Sequence, residues 1–593
     1  MCSSDLHIRD LTADSTWVSN KGNVRGTYNA FIEEGTTYTS NGGKKVTTGF
    51  DHIKELGVNA IQLLPVFDQD NDERKSTVYS STDDGGVLNE ASYNWGYNPQ
   101  NYNVVEGAYS SNPEDALLRV KEYKNLIKTA ADNDIRIIMD VVYNHMSSVA
   151  NNSFTKIVPQ YFFRTDSSGS YTDGSGCGNE FASERPMASK FIVDSVAWWA
   201  KEYRVKGFRF DLMGCLDVDT MKAVRAAVNK IDPTIVLYGE GWTGGGSSLS
   251  GNLQSNTDNI YSKLNVDSNF PIGGFNDCGR DGSKGNTTWA DVTPSSGWIN
   301  EASTVDNVYN ALTQIIGENR WKKEGLGLSS MNPNQTVNYL ACHDNYTLYD
   351  QINYLFYNHD ATFADGSHEY VMQAATALTA LSLMSQGVGF INGGDEIFRQ
   401  KIMTSDNPLY DVLRETYKHA TNGTDNWIEG DGIQIGTSST WLVRNSYKYG
   451  DAVNAFKWDR KANPTVNKYY EKIKDMVLLR QAEMGNTLGQ SETQIKNDGC
   501  TCWSYDDLFY KDENDNVKAK TDLLAGAYKG QKDGKYAYIF VNKGNGDASI
   551  SIGNGTMTVL YSSTGDHDTG SKITISNNTI TAKKFETLIV RAG

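Results

Sequence analysis

Short apolar runs alternate with longer stretches whose apolar residues fall three and four apart, and the alternation continues across most of the chain. Strand character marks Leu6–Arg9, Ala60–Leu64, Ile135–Val142, Gly207–Leu212, Ile235–Glu240, Val337–Ala341 and Val388–Asn392, with a weaker signal between Leu264 and Phe275. Helical spacing marks Asp115–Asp132, Ser189–Val205, Asp219–Ile231, Val308–Glu318 and His368–Ser385. Strands and helices in regular alternation make parallel strands joined by crossover helices, and eight such units close on themselves. The predicted class is therefore α/β, with a (β/α)8 TIM barrel over residues 1–483. Two long polar inserts, 146–184 and 398–467, read as walls of its mouth. After a helical stretch at Lys468–Ala482, the pattern becomes short alternating segments between Gly and Asn turns, among them Tyr536–Val541, Ala548–Ile552, Thr556–Tyr561 and Thr587–Val590. That predicts an antiparallel β-sandwich domain over residues 484–593, packed on the barrel.

Chemistry in such a barrel sits at the C-terminal strand ends. On the fourth strand Phe208 and Phe210 face one side, Arg209 and Asp211 the other. A guanidinium beside Asp211 favours the ionised carboxylate that a nucleophile requires. Two other readings stand beside it: a structural ion pair, or Asp211 capping the helix that begins near Asp219. Three further strand ends are polar: Asp140 to His145, Tyr238-Gly239-Glu240-Gly241-Trp242 and Cys342-His343-Asp344-Asn345. Converging carboxylates suit glycoside hydrolysis, in which one attacks the anomeric carbon and another, kept protonated, donates to the leaving oxygen. Asp211 is the expected nucleophile and Glu240, in a less charged setting, the acid/base. Asp344 would bind sugar hydroxyls and, through its charge, keep Glu240 protonated. His145 and His343 would bind hydroxyls of the same sugar, although each alone reads more readily as a satisfied structural histidine than as a ligand.

Composition narrows the partners. A net charge of −17 with no basic cluster excludes a nucleic-acid binder. The 33 Tyr and 12 Trp fit stacking on sugar faces, and core packing as well. Seven scattered cysteines form neither a disulfide framework nor a zinc pattern, which leaves free thiols. No apolar run is long enough to span a membrane. The first ten residues lack the apolar core of a signal peptide; the abrupt start raises the expectation of natural upstream sequence, a removed secretion signal included.

The ordered strings DVVYNH, GFRFDLMG, YGEGW and CHDN resemble the four conserved blocks of the α-amylase superfamily, glycoside hydrolase family 13. The resemblance implies nucleophile Asp211, acid/base Glu240 and transition-state stabiliser Asp344, with Arg209, His145 and His343 at substrate-contacting positions. Residues 93–99, YNWGYNP, are similar to the YNWGYDP signature of type I pullulanases, with Asn98 where the signature has Asp. The GCGNE and ASERP strings within 176–186 also resemble that group. Ser4 to Asp10 stands where the group has YExHxRD. The implied activity is retaining hydrolysis of α-1,6-glucosidic links in pullulan, amylopectin and limit dextrins through a covalent glycosyl-enzyme. Tyr97, Asp140, Trp242 and Asn345 complete the expected substrate contacts. An α-1,4-acting amylase, an isoamylase-like debrancher and a non-catalytic α-glucan-binding protein are the alternatives. No cofactor is required. The Asn144 position binds calcium in many α-amylases, a site that pullulanase-like members do not regularly share; the acidic Asp68 to Glu73 stretch reads as solvated, with structural calcium the open alternative. The expected partner is an α-glucan and the expected state a monomer. Polymer digestion points outside the cell or to its surface, with cytoplasmic dextrin trimming as the alternative.

Overall fold

The computed structural model describes residues 2–71, 73, 95–265, 270–286, 293–300, 305–316, 333–357, 369–404, 432–434, 440–484, 488, 501–502, 509–511, 517–519, 523–529, 535–543, 546–552, 554–575 and 577–592. Tyr93, Asn94, Asp72, His368, Cys500, residues 317–318 and much of 405–439 therefore lie outside the described residues.

Eight parallel strands close a barrel in chain order. They are β1 (Cys2–Leu6), β2 (Ala60–Leu63), β3 (Arg136–Val141), β4 (Gly207–Phe210), β5 (Val236–Gly239), β6 (Ile272–Phe275), β7 (Thr336–Asn338) and β8 (Val388–Asn392). β1 pairs with both β2 and β8, which completes the ring. The first strand is a correction: it runs Cys2–Leu6, not Leu6–Arg9. Asp5 pairs in register with Gln62, a residue inside the barrel, so Ser3 and Asp5 face inward and give β1 a polar inner face that hides it from an apolar pattern.

Outward residues such as Ile61, Leu63, Ile137, Met139, Phe208 and Phe210 are buried in the main core beneath the helices. Inward residues Ala60, Ile138, Tyr238, Phe275, Val337, Tyr339 and Phe390 plug the barrel. Asp140 pairs in register with Arg209, and Arg209 with Tyr238, so a charged layer lies directly on the apolar plug.

Ten helices introduced here pack around the strands: α1 (Gly49–Leu56), α2 (Ala116–Asp132), α3 (Pro186–Glu202), α4 (Val218–Asn229), α5 (Thr257–Lys263), α6 (Asp277–Lys284), α7 (Val305–Ile316), α8 (Leu348–Tyr357), α9 (Glu369–Leu383) and α10 (Pro464–Leu479). Asp115 caps α2 and Pro186 opens α3. The cap of α4 is Asp217, whose carboxylate accepts from the Thr220 N–H, which leaves Asp211 free of that duty.

In the C-terminal region a six-stranded sheet and a two-stranded sheet of Ala548–Ser551 with Thr579–Ala582 form the expected antiparallel architecture. It docks on the barrel helices. Phe585 meets Tyr370 of α9 edge-on at 4.7 Å, and the Tyr561 hydroxyl donates to the Lys472 carbonyl of α10 at 3.0 Å. Among the described residues, no helix is long and apolar enough to cross a membrane.

Candidate active site

One guanidinium organises the mouth of the barrel. Arg209, 1% exposed, rises from β4 and presents Nη1 to both oxygens of Asp140 at 3.0 Å and to Asp211 Oδ1 at 3.0 Å. Its Nη2 donates to Glu240 Oε1. The Arg209 ring neighbours are Tyr97 and Phe275, at 5.8 and 5.7 Å. Surrounding acids hold the guanidinium charged, its pKa raised despite burial.

The nucleophile and the acid are fixed by their own strand ends. Asn144 Nδ2 donates to Asp211 Oδ2 at 2.7 Å and to its carbonyl at 2.9 Å. Leu212, immediately after Asp211, adopts a left-handed φ of 39°, and its N–H donates to Glu240 Oε2 at 2.9 Å. This strained turn locks the two carboxylates together. The expected less charged setting for Glu240 is corrected, since Arg209 touches it. Burial is the first cause that pushes its carboxyl up to about 8; Arg209 opposes, while Asp211 and Asp344 add to the rise.

Above these groups opens a cavity of ≈ 790 Å³ lined by Tyr97, His145, Arg209, Asp211, Glu240, Trp242, His343, Asp344 and Asn345, together with Trp95. Ser175, Gly176 and Cys177 of the 146–184 insert form one wall, and Asn445 and Tyr447 of the later insert another. Nine of the ten expected site residues thus meet in one cavity. Asp140 is the exception. Fully buried beneath Arg209, it accepts from the Tyr97 hydroxyl at 2.6 Å, so it positions those two residues and does not contact substrate.

His145 sits with Nδ1 2.6 Å from Asn144 Oδ1 and Nε2 3.2 Å from the Tyr97 carbonyl, and burial lowers its pKa. Tyr97 stacks on His343 at 5.0 Å with its ring nearly parallel. Asn345, at a φ of 63°, donates its N–H to Asn445 Oδ1 at 3.0 Å. Trp242 lines the cavity beside Glu240.

Several working residues escaped the sequence reading. Asn144 was weighed only as a calcium position; here its amide is spent on Asp211 and its carbonyl on His145. Asp5 binds His343, and Lys401 donates to the His343 carbonyl at 2.8 Å. Both are far from the motifs in sequence, and only barrel closure brings them in.

The acidic stretch is also a correction. Asp68 and Glu73 are not solvated; with Glu106 they form a cluster whose carboxylate oxygens lie within 4.8 Å of one another. Arg119 Nη2 lies 2.6 Å from Glu73 Oε2, and burial pushes Glu106 up to about 8, so a cation and a proton within the protein offset two of the three carboxyl groups. Cys177, Cys215, Cys278 and Cys342 are free thiols, as expected.

Comparison with known proteins agrees with this geometry. Residues 36–173 match the alpha amylase catalytic domain. The chain is 34% identical over 479 residues to a pullulanase of Bacillus subtilis (strain 168), a match covering 81% of this chain and 55% of that protein. The fold superposes on a pullulanase from Bacillus acidopullulyticus with a TM-score of 0.75 and 31% identity, covering 100% of this chain and 60% of the other. A pullulanase from Anoxybacillus sp. LM18-11 in complex with maltotetraose gives a TM-score of 0.74 at 28% identity, covering 100% of this chain and 71% of that one. The chain thus spans little more than half the length of the Bacillus subtilis relative.

Proposed function

This chain belongs to the pullulanase family, and from that premise and the cavity geometry we propose that it hydrolyses α-1,6-glucosidic links in pullulan and branched starch fragments with retention of configuration. The observation that carries the reading is the single guanidinium of Arg209 shared by Asp211 and a raised-pKa Glu240. Two carboxyl groups held on adjacent nitrogens of one guanidinium support the close spacing that a retaining pair requires.

Asp211 attacks the anomeric carbon while Glu240 gives its proton to the glycosidic oxygen, and the bond to that oxygen breaks. Glu240, now a carboxylate, takes a proton from water, whose oxygen attacks the same carbon and frees Asp211. Asp344 and His343 hold hydroxyls of the sugar at the reacting carbon, and Tyr97 and Trp242 offer ring faces to the chain. Side chains and water suffice, with no cofactor. Binding of maltotetraose by the Anoxybacillus pullulanase supports an α-glucan as partner.

All the residues in this mechanism come from one chain, so a monomer is the expected working unit, and size-exclusion chromatography with light scattering checks it. Action outside the cell follows from a polymer substrate; activity confined to the cytosolic fraction would contradict that placement. Proton NMR of the first-formed products tests the mechanism itself. α-Anomers at the new reducing ends are expected, and β-anomers would contradict a retaining pair.

A further inference from the structure

The mechanism gives no role to Asp5, a buried carboxylate at the barrel mouth. Asp5 ends the inward face of β1, 2% exposed, three strands round the ring from Arg209's own strand. Its Oδ2 lies 3.0 Å from the His343 backbone nitrogen and 2.9 Å from His343 Nδ1. Its Oδ1 accepts from Gln62 Nε2 at 2.9 Å, and Gln62 Oε1 in turn accepts from the Tyr238 hydroxyl at 2.7 Å. A hydrogen-bonded chain therefore crosses the barrel from β5 through β2 and β1 to the loop after β7.

We propose that Asp5 is a positioning residue of the active site, whose carboxylate fixes the His343 ring so that Nε2 faces the cavity beside Asp344. The proposal rests on the hydrolase reading of the cavity and adds a residue to it. An ionised carboxylate only accepts, so the nitrogen facing it must carry a proton. Nδ1–H is thereby pinned on Asp5, and Nε2 alone is left for substrate. An amide at this position could turn and lose that selection.

The surroundings of His343 set its charge. Asp344 Oδ2 lies 3.7 Å from Nε2 and Asp5 on the opposite edge, Arg209 faces it across the mouth, and Lys401 holds its carbonyl. Tyr97 stacks on one side, Trp95 meets the ring edge-on at 4.9 Å, and Cys342 precedes it in the chain. Burial resists a charge on the ring, but Asp344 and Asp5 outweigh it and raise His343 to about 8. At neutral pH Nε2 is then a charged donor aimed at a sugar hydroxyl.

Nitrogen-15 NMR of the histidine-labelled full chain tests this, with His343 assigned through His343→Gln among the 8 histidines. The expected midpoint is near 8, with the proton remaining on Nδ1 above it. In Asp5→Asn the midpoint should fall by about one unit or more, and Asp5→Glu should restore most of it. For pullulan, Asp5→Asn should lower kcat/KM about tenfold or more, yet cost no more than about twofold when added to His343→Gln. An Nε2–H tautomer above the midpoint, or a midpoint indifferent to Asp5→Asn, would overturn the proposal, as would fully multiplicative losses in the double variant. If Asp5→Asn does not fold, the wild-type tautomer decides alone. A wild-type chain inactive on pullulan would instead refute the hydrolase reading, and the NMR result would still stand on its own.

Discussion

Asp211, Glu240 and Arg209 act as a unit, and the consequences of altering them differ in kind. Asp211→Asn removes the attacking group while Asn144 and Arg209 can still hold the side chain. Turnover of pullulan should fall by about four orders of magnitude with glucan binding retained, as measured by kcat and by calorimetric titration. Glu240 must be protonated to donate, and its pKa lies near 8, above the ordinary carboxyl range. The kcat/KM profile should therefore hold through neutrality and decline as pH rises through about 8. Asn144→Ala leaves Asp211 Oδ2 without its donor and should cost roughly 10- to 100-fold in kcat, read from initial rates. The charged residues at the strand ends were legible because the barrel orders them along the chain. Asn144, Asp5 and Lys401 were not, since their value lies in partners far away in sequence.

At the level of elements, the turn after β4 is the point of least tolerance. A Cβ on Gly214 would stand 2.5 Å from the Trp242 carbonyl carbon, against backbone that cannot swing aside. The Gly214 N–H also donates to the Glu240 carbonyl at 3.0 Å. Gly214→Ala should push the β5 turn outward and lower kcat by about tenfold or more, with a change in Glu240 position visible in a crystal structure of the variant. The cap of α4 is a useful contrast. Asp217→Ala should destabilise by ~1 kcal/mol in denaturant titration and leave kcat unchanged. Strand periodicity located β8 to the residue and the other strands to within a few positions, because their outward faces are uniformly apolar. It failed for β1 because Ser3 and Asp5 put polar side chains on its inward face, and the sixth strand shrank from the Leu264 to Phe275 window to Ile272–Phe275, where glycines thin the pattern. The acidic loop was misread for the same reason as Asp5: Glu106, which joins its cluster, and Arg119, which pairs with Glu73, come from later elements.

The whole molecule joins a barrel that does chemistry to a sheet that braces it. The C-terminal sheet meets α9 and α10 through Phe585 and Tyr561, far from the cavity. Phe585→Ala should remove about 3 kcal/mol of packing and open that region to limited proteolysis, with KM for pullulan unaltered. The cavity, in contrast, depends on closure of all eight strands, since Asp5, Asp211, Glu240 and His343 arrive from β1, β4, β5 and the end of β7. Products from two substrates test most directly what this assembly is for. The purified chain would be incubated with pullulan and, separately, with linear maltooligosaccharides, and the sugars released would be identified by chromatography. Maltotriose from pullulan with the linear chains intact is the expected result. Panose or isopanose from pullulan, or cleavage of the linear chains, would contradict α-1,6 hydrolysis as the reaction of this site.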